Sequence, residues 1–295
     1  MKSLIVGASG QVGGLLLRSC TARGFDCIGT SFKSPRDGLV PLDIRDAAAV
    51  DAMVQDFKPD VVFLPGALTF VDYCQLHPEE CFAINVDGTA NMARAVRRSG
   101  SRMVFFSTEQ VFSDSPDAYP EDAPTAPVNT YAESKVRAEQ EVRTILPDSG
   151  LILRASWVYG PEIQRKNFLY RAVSTLRAGK RLQVPSDQFG QPTYSVDLAT
   201  TALALLQKGL SGTFHTVGPK HINRLEFAEL IAKEFGLDAS LIDGQSTASL
   251  SQPAPRPLFI KVQRNKLIAA LGNDPIRSPE EALIDTREGD AAFRP

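Results

Sequence analysis

Apolar and polar positions follow two rhythms along the first half of the chain. Short runs that are apolar almost throughout read as strands: LIV at 4–6, CIG at 27–29, DVVFLP at 60–65, RMVFFS at 102–107 and LILRAS at 151–156. Between them lie helical patterns at 11–23, at 46–57 with Asp46 as N-cap, at 78–98 starting on Pro78, and at 129–146 with Asn129 or Thr130 as cap. Strands apolar on both faces, alternating with helices, predict a parallel sheet covered on each side, the doubly wound α/β arrangement. After Trp157 the rhythm loosens. Prolines multiply, and helical patterns recur at 167–179, 196–208, 224–236 and 279–286. A smaller, mostly helical lobe is expected there, and the stretch 244–257 (DGQSTASLSQPAPR) reads as a loop free to move.

Composition narrows the function classes. Hydrophobic content of 43% and charged content of 22% are ordinary for a globular protein. A net charge of -2, from 32 basic and 34 acidic residues, argues against nucleic-acid or membrane-surface binding. No apolar run approaches the ~18 residues of a membrane span. The apolar run near the N-terminus ends at Gly7, far too short for a signal-peptide core, so a cytoplasmic protein is expected. Cys20, Cys27, Cys74 and Cys81 form no CxxC, and with His77, His215 and His221 they give no zinc spacing. Reduced, mostly buried thiols and no dedicated metal site are expected.

Chemistry enters with LIVGASGQVGG, which places Gly7, Gly10 and Gly13 between a strand and a helix. Gly7 permits the tight turn, Gly10 lets a diphosphate approach the backbone, and Gly13 lets helix and strand pack closely. The helix N-terminus offers free N–H groups to the anion. This predicts a Rossmann dinucleotide-binding domain over 1–156 and a substrate-binding lobe over 157–295, with the chain returning to the first domain around 192–217. A carboxylate at the end of the second strand would select NAD through the ribose hydroxyl. Here that region reads Thr30-Ser31-Phe32-Lys33-Ser34-Pro35-Arg36, with hydroxyls and two cations instead. NADPH is therefore expected over NADH, with Ser31 and Lys33 near its 2′-phosphate; the alternative is that Lys33 and Arg36 are only solvated. Asp43 and Ile44 are candidates for the adenine edge.

Tyr131 and Lys135 stand one helical turn apart in YAESK. A phenol with a pKa of about 10 is a poor proton donor at neutral pH unless a nearby cation assists it. Reduction of a carbonyl needs such a donor, and Thr108 at the end of a strand is suited to hold the carbonyl oxygen. The bland alternative is a packed tyrosine beside a solvated lysine. The glycine turn and the strand-end Ser107-Thr108 favour proton chemistry.

Together these residues resemble the extended short-chain dehydrogenase/reductases, and most closely the branch of dTDP-4-dehydrorhamnose reductase-like proteins. STEQVF (107–112), LILRASWVYG (151–160), DQFGQPTY (187–194), INVDGTANMARA (84–95) and PRPLFIKVQRNKL (255–267) carry the likeness. The resemblance implies that Thr108, Tyr131 and Lys135 are a catalytic trio, with Lys135 also bonding the nicotinamide ribose. It puts Gln11 and Val12 at the diphosphate and Pro65, Gly66 and Ala67 beside the cofactor ribose. Trp157, Gln188 and Arg256 would face a nucleotide-sugar. Val71, Asp72, Glu109 and Gln110 would lie near its sugar. There this chain departs from the branch, with Tyr73-Cys74-Gln75 for Lys-Ala-Glu and Glu109-Gln110 for Asp-Tyr. The implied function is NADPH-dependent reduction of a keto group on a nucleotide-linked (deoxy)sugar. The alternatives are an epimerase or dehydratase that retains NAD, and a non-catalytic binding protein resembling the regulatory beta subunit of methionine adenosyltransferase. Because dimers are common in the superfamily, a homodimer is an expectation.

Overall fold

The computed structural model describes residues 1–34 and 36–289. The first half runs β1 (Lys2–Ile5), α1 (Gln11–Ala22), β2 (Asp26–Ser31), β3 (Val40–Pro41), α2 (Ala47–Phe57) and β4 (Val61–Leu64). It continues through α3 (Val71–Leu76), α4 (Pro78–Phe82), α5 (Gly88–Ser99), β5 (Arg102–Thr108), α6 (Thr130–Ile145) and β6 (Gly150–Ala155). Asp46 caps α2 by accepting from the amides of Ala48 and Ala49, both at 3.0 Å. Asn129, rather than Thr130, caps α6 through the Ala132 amide at 2.9 Å.

The second half contains β7 (Val158–Tyr159), α7 (Phe168–Arg177), β8 (Leu182–Pro185), β9 (Phe189–Gly190), β10 (Thr193–Tyr194), α8 (Ser195–Gln207) and β11 (Gly212–His215). β12 (Ile222–Asn223), α9 (Arg224–Glu234), β13 (Ile242–Gln245), α10 (Asn265–Leu271) and α11 (Pro279–Gly289) complete it.

Seven strands form one parallel sheet in the order β11-β6-β5-β4-β1-β2-β3. Adjacent strand residues point into two different cores, which is why the runs are apolar throughout. Ile5, Phe63 and Leu151 pack with Leu16 of α1 and Leu198 and Leu203 of α8. Leu4, Val62 and Ile152 pack with Val50 of α2, Val96 of α5 and Val142 of α6. Each such buried side chain contributes roughly 1.5–3 kcal/mol. The sheet therefore presents the C-terminal ends of β1, β4, β5 and β6 as a rigid rim.

Two expectations need revision. The segment 78–98 is not one regular helix: between α4 and α5, residues Ala83–Asp87 form a wide turn with i→i+5 bonding. That turn carries the buried Asn85, whose side chain bonds both the amide (2.8 Å) and the carbonyl (3.0 Å) of Leu68 and the Ser134 hydroxyl (2.9 Å). The stretch 244–257 is likewise not all loop. Gly244 and Gln245 extend β13, which pairs with β8, and the Thr247 hydroxyl donates to Asp187 at 2.6 Å. Beyond Trp157, α8 and β11 join the main sheet and its core, while a separate core forms where Leu169, Val173, Phe227 and Leu283 of α7, α9 and α11 meet Tyr159 and Tyr194.

Candidate active site

At the sheet rim, closed over by residues of the 157–167 segment, lies a cavity of about 610 Å³, with an adjoining chamber of about 180 Å³. The glycine turn forms the floor of the larger part. Gly7 has a φ of +82°, and a Cβ there would lie 2.7 Å from Gly66 Cα. A Cβ on Gly13 would lie 2.3 Å from the Gly7 carbonyl oxygen. Gly10 is the extended N-cap of α1 and supplies no side-chain cap, so the first turn, with Gln11, Val12 and Gly13 at the cavity, stays open to an anion.

Pro65, Gly66 and Ala67 follow β4 and line the cavity beside the glycine turn. Asn85 fixes this wall from beneath through its two bonds to Leu68. The smaller chamber is lined by Ser31, Lys33, Asp43 and Ile44, and shares Gly7, Lys33, Gly66 and Ala67 with the larger. Arg45 bonds the Asp43 carboxylate at 2.6 Å and holds it below the usual carboxylate range. The Lys33 ammonium pairs with Glu80 at 2.6 Å on an exposed rim. Arg36 lines neither chamber. A close-approach glycine cradle, an uncapped helix end and a chamber edged by Ser31 and Lys33 fit a dinucleotide with a phosphorylated ribose.

Thr108 ends β5, Tyr131 and Lys135 lie on the first turns of α6, and all three side chains line the larger cavity. Burial, followed by the charges of Glu109 and Cys74, pushes the Tyr131 phenol well above its ordinary range. The Lys135 ammonium donates to the Phe106 carbonyl at 2.7 Å and lies 4.0 Å from the Phe105 ring centroid. Burial pulls its pKa from 10.5 to about 7, opposed by the charge of Glu139 one turn further along α6. Glu139 is itself fully buried. It accepts from Arg154 at 2.9 and 2.7 Å and from Ser107 at 2.6 Å, locking α6 to β5 and β6. Removing one partner of such a buried pair costs about 3–5 kcal/mol.

The substrate candidates divide. Val71, Glu109, Gln110 and Trp157 line the cavity. Glu109 is 4% exposed, and burial pushes its carboxyl up to about 7. Asp72, Gln188 and Arg256 do not line it. Arg256 bonds Asp72 at 2.9 Å and the Ala254 carbonyl at 3.2 Å, and Gln188 donates to Thr247 and Gln252, both at 3.0 Å. These bonds hold the 247–256 segment to α3 and to the residue before β9.

Sequence reasoning missed one wall. The connection from β7 to α7 brings Glu162, Gln164, Lys166 and Asn167 to the cavity. Gln164 donates to the Ser9 carbonyl at 2.8 Å, and Gln11 donates to the Gly160 carbonyl at 3.2 Å, tying this wall to the glycine turn. Asn167, the first residue of the helical pattern expected at 167–179, is instead the cap of α7, through the Leu169 amide at 3.1 Å. It also donates to the Gly160 carbonyl at 2.9 Å.

The arrangement can orient a carbonyl oxygen between Thr108 and Tyr131 beside a bound dinucleotide. Comparisons with known proteins agree in kind. The family described as RmlD substrate binding domain matches residues 1–286. The chain is 33% identical over 264 residues to the probable low-salt glycan biosynthesis reductase Agl14 of Haloferax volcanii, covering 87% of this chain and 88% of that protein. It is 31% identical over 289 residues to the dTDP-4-dehydrorhamnose reductase of Streptomyces griseus, covering 96% and 92%. A crystal structure of dTDP-4-dehydrorhamnose reductase from Bacillus anthracis in complex with NADP is similar at a TM-score of 0.90 and 29% identity, covering 98% of this chain and 99% of that one.

Proposed function

The chain belongs to the RmlD substrate binding domain family, the dTDP-4-dehydrorhamnose reductase-like branch of the extended short-chain dehydrogenase/reductases, and from that premise we propose that it reduces the keto group of a dTDP-linked deoxysugar with NADPH. The observation that carries this reading is the meeting of Thr108, Tyr131 and Lys135 with the glycine turn in one cavity. When bound, NADPH supplies the hydride. Tyr131 gives its phenolic proton to the carbonyl oxygen as that oxygen gains charge, and Thr108 donates a hydrogen bond to the same atom. Lys135, anchored on the Phe106 carbonyl, stabilises the phenolate left behind and bonds the nicotinamide ribose. Gly7, Gly10, Gln11, Val12 and Gly13 hold the diphosphate; Ser31 and Lys33 take the 2′-phosphate; Asp43 and Ile44 edge the adenine. Val71, Glu109, Gln110 and Trp157 receive the sugar.

The rival readings find less support. The relatives named above are reductases, which favours neither an epimerase nor a regulatory subunit. Thr108-Glu109-Gln110 carries one carboxyl where dehydration needs an acid and a base, since an amide exchanges no proton. Among the described residues no helix is long and apolar enough to cross a membrane. The reading carries the cytoplasmic location and the homodimer expected from the sequence. The test is to mix purified protein, NADPH and a dTDP-4-keto-6-deoxysugar, then follow NADPH oxidation and the gain of two hydrogens in the product by mass. Absence of turnover together with tightly retained oxidised NAD would favour the epimerase, and absence of turnover with a stable foreign protein partner the regulatory role.

A further inference from the structure

Trp157 is the single tryptophan of the chain, and it lines the cavity on the side of the second lobe. Its backbone is left-handed, with a φ of +39°, a conformation that a bulky residue keeps only when its surroundings enforce it. Two contacts supply that enforcement. A Cβ added to Gly190 of β9 would lie 2.6 to 3.0 Å from indole carbons of Trp157, so the backbone there is pressed against the ring. The Arg224 guanidinium lies 3.5 Å from the indole centroid and 4.8 Å from the centroid of Phe168. Arg224 opens α9 and Phe168 opens α7, so the stack ties the residue before β7 to both helices.

Arg224 is unusual in what it lacks. Among the described residues no carboxylate forms an ion pair with it; the carboxylate whose charge it feels is Glu109, on the cavity wall. Burial, then the charge of Arg171, pulls its pKa to about 9, so it is a cation at neutral pH. A desolvated guanidinium gains most from an aromatic face, and its planarity lets it stack as a lysine ammonium does not. Yet Arg224 does not itself line the cavity; Trp157 does.

We propose that Arg224 is a positioning residue for the substrate: its guanidinium, stacked on the indole of Trp157 outside the cavity, holds that ring in its strained orientation as the wall against which the sugar rests. The inference deepens the reductase reading and rests on it for its kinetic part. Its structural part, the immobilised indole, stands without that reading.

The experiment compares Arg224→Met, Arg224→Lys and Gly190→Ala with the parent, each first shown to be folded and to bind NADPH. Because Trp157 is the only tryptophan, its emission and its quenching by acrylamide report the ring alone. Arg224→Met is expected to shift the emission, increase quenching and raise the KM for the keto-sugar roughly 3- to 30-fold, the range set by losing one desolvated cation–π contact, with kcat and NADPH affinity retained. Arg224→Lys should recover part of the KM and little of the quenching protection. Gly190→Ala displaces the indole from its other contact and should move emission and KM in the same direction. Parental emission and quenching in a folded Arg224→Met protein would overturn the proposal whatever the activity, and so would altered emission with an unchanged KM. If the parent turned over no keto-sugar while the emission responded as expected, the reductase reading would fail and the held indole would stand.

Discussion

Lys135→Met should make the cofactor-free protein more stable while nearly abolishing its activity. Lys135 is 2% exposed, and its ammonium has one carbonyl, one aromatic face and no ion-paired carboxylate among the described residues. The fall of its pKa from 10.5 to about 7 corresponds to a penalty of at most about 5 kcal/mol for keeping the charge buried. Methionine, of similar length, removes that penalty. It also loses the bond to the Phe106 carbonyl, at about 1–3 kcal/mol for an acceptor left unpaired. A net gain of roughly 1–3 kcal/mol is expected. The sign with pH is fixed: a depressed pKa in the folded state means that the penalty is complete below about 7 and vanishes as pH rises through the ordinary 10.5. The advantage of the variant should therefore be largest near about pH 6 and shrink toward about pH 10. Urea denaturation of both proteins across that range measures it. Steady-state kinetics on the same preparations should show kcat down by about 10²–10⁴ and weaker NADPH binding. A variant less stable than the parent at acid pH, or a stability gap independent of pH, would refute the reasoning.

Other perturbations probe the remaining parts of the site. Gly13→Ala would place its Cβ 2.3 Å from the Gly7 carbonyl oxygen, so a loss of about 1–3 kcal/mol of stability and of detectable NADPH binding is expected, measured by urea midpoint and fluorescence titration. Lys33→Ala should weaken NADPH about 5- to 30-fold and leave NADH unchanged, with the difference shrinking in salt; equal losses for both cofactors would remove Lys33 from the 2′-phosphate. Because burial raises Glu109 from 4.5 to about 7, the parent should lose up to about 3 kcal/mol of stability as pH rises from about 4.5 to about 7 and no more above it, and Glu109→Gln should abolish this fall in urea midpoints taken across that window.

What the sequence made legible was local or periodic. Asp46 and Asn129 announce helix starts because a short acceptor side chain before a helical run has few other uses. The spacing of Gly7 and Gly13 follows from a close approach of backbone to backbone, which only glycine tolerates. The continuous apolar runs disclose two cores, because Leu4 and Ile5 each need one. Long-range partner choice left no such trace. Nothing near Arg256 in the chain says that Asp72, 184 residues away, takes its charge. Nor does composition show that Asp187 pins Thr247 and converts part of a polar loop into a strand pair. The wide turn at Ala83–Asp87 was hidden because its residues suit a regular helix; what it adds is the inward amide of Asn85, bonded across to Leu68 and Ser134. The wall from Glu162 to Asn167 was missed because its contact with Ser9 joins positions 155 apart.

The central claim is that Tyr131 donates the proton that completes reduction, and single-turnover kinetics of Tyr131→Phe tests it most directly. The substitution keeps the ring in its buried place and deletes only the hydroxyl. With NADPH and a dTDP-4-keto-6-deoxysugar both saturating, oxidation of NADPH should slow by about 10²–10⁴, equivalent to roughly 3–5 kcal/mol of barrier, with thermal stability and NADPH affinity close to those of the parent. A folded Tyr131→Phe protein that oxidises NADPH at the parental rate would contradict the account.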